Sequence, residues 1–101
     1  MSEISVVAKA TAKVDCEAAL EAELRRVAKA SRNEPGCLLY TLHRAKDDFR
    51  TFITFERWES REAFELHLKQ SYVIASLSKI PELVSESPEI REFEPLADDP
   101  R

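Results

Sequence analysis

Trp58 and His67 are the two side chains of this sequence best suited to chemistry. They lie in one stretch, 49–68, where a predicted strand from Phe49 to Trp58 is followed by a predicted helix capped by Ser60. An imidazole titrates near neutral pH and can serve as a general base, and an indole offers an N–H donor and a flat apolar surface. If one strand face lies under the helix, the two rings come close together. This pair is our candidate site.

The elements that must position these rings follow from hydrophobic periodicity. Asp15 is expected to cap the first helix, and Asn33-Glu34-Pro35-Gly36 ends it, with Gly36 free to take a positive φ. The order of elements indicates a ferredoxin-like α+β domain, a split βαβ with an antiparallel sheet and helices on one face. Residues 1–96 form this single domain and 97–101 a polar tail. The other predicted elements are strands over Ile4–Thr11, Cys37–Lys46 and Glu89–Leu96, and helices over Arg61–Lys69 and from Tyr72 to Ile80.

Composition excludes several classes of partner. A net charge of −4 argues against nucleic acid and anionic membranes, and no stretch is long and apolar enough to span a bilayer. Two cysteines are too few for a disulfide scaffold and match no zinc pattern, so we expect reduced thiols, no metal and a cytoplasmic protein. A single glycine excludes a glycine-rich phosphate loop.

The second and third strands carry bulky side chains on both faces. Tyr40 and Leu42 point to one side of the second strand, and Leu39 and His43 point to the other. The predicted helices can cover only one face of the sheet. We therefore expect a homodimer in which a second copy covers the other face.

Several short motifs together resemble the antibiotic biosynthesis monooxygenase family. They are Glu34-Pro35-Gly36-Cys37 leading into Leu39-Tyr40 and Leu42-His43, the run from Phe55 to Ser60, Ala63 with His67-Leu68, and Pro88-Glu89-Ile90-Arg91. The resemblance implies a small dimeric α/β barrel. Members of this family include cofactor-free monooxygenases of polyphenols, quinol monooxygenases, haem-degrading enzymes and an isomerase of a signalling sugar phosphate.

The resemblance also separates these branches. Haem-degrading relatives place a tryptophan at the position of His67 and a haem-ligating histidine at that of Leu77. Because leucine cannot ligate iron, no haem is expected. We expect no other cofactor either. Polyphenol monooxygenases place asparagine, tryptophan and tyrosine at the positions of Thr54, Trp58 and Phe64, of which this chain keeps the tryptophan.

The quinol monooxygenase and isomerase branches both keep a histidine at the position of His67. The quinol branch also keeps the run Glu56 to Ser60, although both branches differ from this chain by a second histidine at the position of Tyr72. The resemblance therefore favours oxidation of a small phenol or quinol by dioxygen without a cofactor.

Such a reaction needs a base, a dry pocket and donors that hold an anion. His67 would be the base, and Trp58 would donate its N–H to the developing oxyanion. Tyr72 would donate a second hydrogen bond, and Thr54 would position a carbonyl. The expected walls of the pocket are Phe52, Phe64, Leu68 and Leu77.

Two other functions stay open at this point. The protein could bind or protect a small aromatic metabolite without turning it over, or it could be an isomerase that uses the same histidine for proton transfer. A buried histidine or tryptophan is also often a packing residue with no further role.

Overall fold

The computed structural model describes residues 2–96, so the predicted tail at 97–101 lies outside the described residues. Within that range the chain forms four strands and three α-helices, and a 3₁₀ turn at Ile80–Glu82 continues the third helix. In chain order they are β1 (Ile4–Thr11), α1 (Glu17–Ser31), β2 (Cys37–Arg44), β3 (Thr51–Trp58), α2 (Arg61–Leu68), α3 (Ser71–Lys79) and β4 (Glu89–Phe93).

The four strands form one sheet in the order β2-β3-β1-β4. Each neighbouring pair is antiparallel, and β4 lies at an edge, as its charged sequence predicts. This order, with helices after β1 and β3, is the split βαβ arrangement of ferredoxin-like domains. The predicted fold class is confirmed.

The side chains of strand β3 show which face of the sheet the helices cover. Its side chains alternate, so that Phe52 and Trp58 are at most 2% exposed on the helix side, whereas Phe55 on the other side is 44% exposed. Val6 of β1 and Tyr40 of β2 are buried with Trp58 in the same core cluster. The other face carries the half-buried or exposed apolar side chains Val7, Leu39, Ile53, Phe55 and Phe93.

The start of α1 differs from the prediction. The N-cap position is Cys16 rather than Asp15, and no side chain accepts a hydrogen bond there. Asp15 instead has φ +71°, within a turn that the Cys16 N–H closes by donating to the Lys13 carbonyl at 2.9 Å. Aspartate tolerates this left-handed conformation, so turn geometry decides its role.

Strands β2, β3 and β4 are also shorter than predicted, each at one end. The turn before β3 includes Phe49, because both Asp48 carboxylate oxygens accept hydrogen bonds, from the Arg50 N–H and the Thr51 hydroxyl. Strand β4 ends at Phe93, which pairs with Ser5 near the start of β1 and leaves the following residues without a partner strand. Strand β2 ends at Arg44 rather than Lys46.

Gly36 brings the loop after α1 into contact with α2. Its φ is +88°, as predicted, and a Cβ built on it would lie 2.7 Å from the Ala63 Cβ. The Glu59 N–H donates to the Gly36 carbonyl at 2.8 Å. Because His67 lies one turn beyond Ala63 on the same helix face, this approach also places the imidazole beside the loop.

Candidate active site

A cavity of about 100 Å³ lies between the helices and the covered face of the sheet. Its wall includes aliphatic and aromatic side chains from β1, β3 and all three helices. Lys9, Tyr40, Glu56 and His67 are its titratable lining residues, and of these Glu56 and His67 are the most buried, each residue being 4% exposed. A mostly apolar cavity with a few convergent polar groups is the usual form of a small-molecule site.

Helix α2 carries His67 into the cavity wall. The helix begins after Ser60, whose Oγ accepts the Ala63 N–H at 3.1 Å, so the predicted cap is confirmed. Ala63, Phe64 and His67 then form its buried stripe. The imidazole centroid lies 4.7 Å from that of the Trp58 indole and 6.0 Å from the Phe64 ring. The structure thus brings together the two rings that the sequence singled out.

The imidazole is held by a carboxylate that the sequence analysis missed as a site residue. His67 Nδ1 lies 3.0 Å from Glu34 Oε2, and the Tyr72 hydroxyl donates to the same oxygen. Glu34 precedes the Pro-Gly corner after α1, a motif predicted to end the helix. The available signal was an acidic side chain two residues before the single glycine of the chain.

Glu56 is the second carboxyl group that the sequence analysis did not select. Its Oε1 accepts the Trp58 indole N–H at 3.0 Å, and its Oε2 accepts the Thr54 hydroxyl at 2.8 Å. Burial raises the pKa of Glu56 and outweighs the opposing effect of these two hydrogen bonds and of nearby His67. A carboxyl whose pKa is raised inside a cavity can hold or release a proton closer to neutral pH.

Trp58 lies behind Glu56 and His67 instead of offering its N–H to the cavity. The indole is fully buried, and its N–H is already bonded to Glu56. It also packs edge-on against the Tyr40 ring at a centroid distance of 6.4 Å. The predicted catalytic role of Trp58 stays a prediction, and this geometry favours support of Glu56.

Five of the six predicted substrate-binding residues line the cavity. They are Phe52, Thr54, Phe64, Leu68 and Leu77. Tyr72 instead lies on the Glu34 side of the imidazole, bonded to that carboxylate. Tyr40, which the sequence analysis did not select, lines the cavity with its ring centroid 5.8 Å from His67. Burial raises the pKa of the Tyr40 hydroxyl, so it stays protonated at neutral pH.

Across residues 2–96, no cluster of three or more histidine, cysteine, aspartate or glutamate side chains could hold a metal ion. Over the same range, no helix has the length and apolar character needed to cross a membrane.

The arrangement can bind a flat apolar molecule and move a proton at one end of it. An imidazole and a buried carboxyl face the same cavity, and aromatic and aliphatic side chains exclude water around them. Leu68, Leu77 and Ile90 are exposed apolar side chains of the lining, at 38%, 48% and 51%. General acid–base chemistry on a mostly apolar ligand fits these features.

Comparison with known proteins agrees with the fold. The chain superposes on the structure of Rv0793 from Mycobacterium tuberculosis with a TM-score of 0.91 and 26% identity, covering 97% of this chain and 99% of that one. For PA3566 from Pseudomonas aeruginosa the TM-score is 0.89 and the identity 30%, covering 96% of this chain and 97% of that one.

Sequence comparison gives two further matches. The chain is 33% identical over 61 residues to the uncharacterised protein sll1783 of Synechocystis, a match that covers 60% of this chain and 42% of that longer protein. The sequence profile of the family described as antibiotic biosynthesis monooxygenase matches residues 3–77. Because that match extends from β1 into α3 and includes both Glu56 and His67, this chain belongs to the antibiotic biosynthesis monooxygenase family.

Proposed function

We propose that this protein is a cofactor-independent monooxygenase that oxidises a small phenol or quinol with dioxygen. The observation that carries the proposal is that His67 and Glu56 both line an otherwise mostly apolar cavity. Both residues are 4% exposed, so a proton transferred there is shielded from bulk water.

The overall reaction balances without a reductant. A quinol and dioxygen give a hydroxyquinone and water, so one oxygen atom enters the ring and the other leaves as water. All four electrons that reduce dioxygen come from the quinol. Deprotonation of the quinol comes first, because the anion passes an electron to dioxygen far more readily than the neutral molecule.

His67 takes that first proton in this proposal. It brings an imidazole to the cavity wall, and imidazole is the side chain that most often serves as a general base in enzymes. Glu56, with its raised pKa, lies close enough to interact electrostatically with His67 and holds a proton beside the reacting oxygen. Thr54 and Trp58 keep the Glu56 carboxyl in place through their hydrogen bonds.

The size of the cavity limits the substrate. An apolar cavity of ~150 Å³ binds benzene, so about 100 Å³ is slightly too small for one enclosed ring. The ring must therefore extend out of the cavity, where substituents would lie against exposed apolar side chains of the lining such as Leu68 and Leu77. A single ring with apolar substituents fits best.

The test is oxygen consumption by the purified protein with chemically reduced benzoquinones and naphthoquinones. We expect His67→Ala to lower the protein-dependent rate by about 10²- to 10⁴-fold, the usual contribution of a general base. His43→Ala removes the other histidine, which is exposed, and should keep the wild-type rate. Circular dichroism and light scattering on each variant exclude misfolding.

Two outcomes would favour the alternatives. Tight binding of a quinol analogue with no protein-dependent oxygen uptake across the panel would indicate a binding or protective module. Conversion of a substrate under anaerobic conditions, again lost in His67→Ala, would indicate an isomerase that uses the same imidazole.

The proposal includes a homodimer formed through the open face of the sheet. That face presents apolar side chains from all four strands, including Leu39 at 38%, Phe55 at 44% and Phe93 at 43% exposed. A second copy of this surface would bury all of them around a two-fold axis. Two free cysteines within the described residues fit the reducing conditions of the cytoplasm, where we place the protein.

Light scattering tests the dimer. We expect a dimer for the wild type and a monomer for Phe55→Glu. The carboxylates introduced in the two subunits would be buried close together in an apolar interface. Leu66→Glu is the matched control, since Leu66 is 60% exposed on α2 and away from the open face of the sheet. A wild-type monomer, or a Phe55→Glu variant that stays dimeric, would contradict the proposed interface.

A further inference from the structure

We propose that Glu34 is a positioning residue that holds His67 in the tautomer with its proton on Nδ1, so that the Nε2 lone pair faces the cavity. The catalytic meaning of this inference rests on the proposed function, but the tautomer itself does not. It assigns a role to the Glu-Pro-Gly corner beyond ending α1.

The contact is short and well buried. Glu34 Oε2 lies 3.0 Å from His67 Nδ1, and the two side chains are 9% and 5% exposed. Water therefore competes little for either group, and a hydrogen bond to a carboxylate is among the stronger ones in proteins. The imidazole also lies between aromatic rings, with Trp58 at 4.7 Å and Tyr40 at 5.8 Å between centroids. These contacts restrict rotation of the ring.

The backbone makes this contact possible. Gly36 has no side chain where a Cβ would lie 2.7 Å from the Ala63 Cβ, so the corner and α2 approach closely. Glu34 lies two residues before Gly36, and His67 lies four residues after Ala63 on the same helix face. The glycine thus lets a carboxylate from the loop reach an imidazole 33 residues further along the chain.

The hydrogen-bond pattern decides the tautomer. A carboxylate can only accept, and the Tyr72 hydroxyl already donates to Glu34 Oε2. Burial, together with the bond to Glu34, raises the pKa of Tyr72 to about 12, so this phenol keeps its proton at neutral pH. Nδ1 of His67 must therefore donate as well. In a neutral imidazole the other nitrogen, Nε2, then carries the lone pair.

His67 lines the cavity together with the titratable residues Glu56 and Tyr40, whereas Glu34 and Tyr72 are not part of its lining. The Nδ1 edge of the imidazole is turned to Glu34, which in turn binds Tyr72. The opposite edge, which carries Nε2, is therefore the one that we assign to the cavity. Within residues 2–96, no protein group is hydrogen-bonded to Nε2, so this atom is available to a ligand.

Nitrogen-15 NMR tests the tautomer directly. The chain has two histidines, so His67 is assigned by comparison with His43→Gln. We expect the neutral imidazole of the wild type to show a protonated Nδ1 and an unprotonated Nε2. In Glu34→Gln the amide can donate to Nδ1, and we expect at least half of the population to move its proton to Nε2.

Two variants separate positioning from simple anchoring. Tyr72→Phe removes the other hydrogen bond to Glu34 but keeps the acceptor, so the tautomer should stay as in the wild type. Glu65→Gln changes the same chemical group at an exposed position on α2 and should have no effect. A wild-type protein with the proton on Nε2, or an unchanged tautomer in Glu34→Gln, would overturn the inference.

Kinetics then relate the tautomer to the proposed reaction. We expect Glu34→Gln to lower kcat for quinol oxidation by about 10- to 100-fold with little change in KM, less than the loss for a missing general base. Full activity with an altered tautomer would remove Glu34 from catalysis. Absence of activity in the wild type would refute the proposed function and leave the NMR result standing, so the two failures are distinguishable.

Discussion

Replacing Gly36 with alanine should destabilise the protein through contact with one particular atom. The new Cβ would lie 2.7 Å from the Ala63 Cβ, whereas ordinary contacts begin at 3.4 Å. A shift of about 0.7 Å between the corner and α2 is the least that removes the clash. Neither atom can move alone, because one lies on a tight turn and the other on a capped helix.

The expected cost has two separable parts. A left-handed φ of +88° costs an L-residue about 1–2 kcal/mol, and overpacking in a well-packed region costs about 1–3 kcal/mol. Gly36→Ala should therefore lower the free energy of unfolding by about 2–5 kcal/mol. Ala63→Gly, which removes the clashing methyl group, costs about 1 kcal/mol from helix propensity alone.

The double variant Gly36→Ala/Ala63→Gly isolates the clash. Its free energy of unfolding should be lower than that of Ala63→Gly only by the cost of the left-handed φ, because the clash is gone. The coupling energy between the two sites is then about 1–3 kcal/mol. Urea unfolding at one fixed protein concentration measures all four species, and fluorescence of Trp58 reports it, because this is the single tryptophan and is fully buried. A coupling energy within about 0.5 kcal/mol of zero would refute the close approach on which the position of His67 depends.

Three further predictions concern Glu56, Trp58 and Ser60. Because burial raises the pKa of folded Glu56 above its value of 4.5 in the unfolded chain, its contribution to stability is complete below pH 4.5 and is lost as the pH rises through the folded pKa. The difference in unfolding free energy between wild type and Glu56→Gln should thus fall from pH 4 to pH 7, and a flat or rising difference would contradict the raised pKa. Trp58→Phe removes the N–H bonded to Glu56 Oε1, so the carboxyl carbon of Glu56 should titrate at higher pH in carbon-13 NMR, and an unchanged midpoint would argue against that bond. Ser60→Ala removes the cap of α2 and should cost about 0.5–2 kcal/mol in urea unfolding, a loss that Ser60→Asp should largely avoid.

The fold follows from patterns that are local in the sequence. Alternation along β3 placed Phe52 and Trp58 on one face, and the helical stripe placed Phe64 and His67 towards it, as the structure confirms. The positive φ of Gly36 could be predicted because the corner needs it. Strand ends were less accurate, since the Asp48 side chain bonds and the length of β1 decide where pairing stops.

What the sequence by itself determined is therefore which face each side chain occupies and which rings lie near one another. The tertiary structure decided which polar atoms meet. Glu34 reaches His67 across 33 residues, and Glu56 takes the N–H that Trp58 was expected to offer a ligand. Periodicity assigns a side chain to a face, but a hydrogen bond depends on distances and angles set by the packing of separate elements, and no local pattern encodes those.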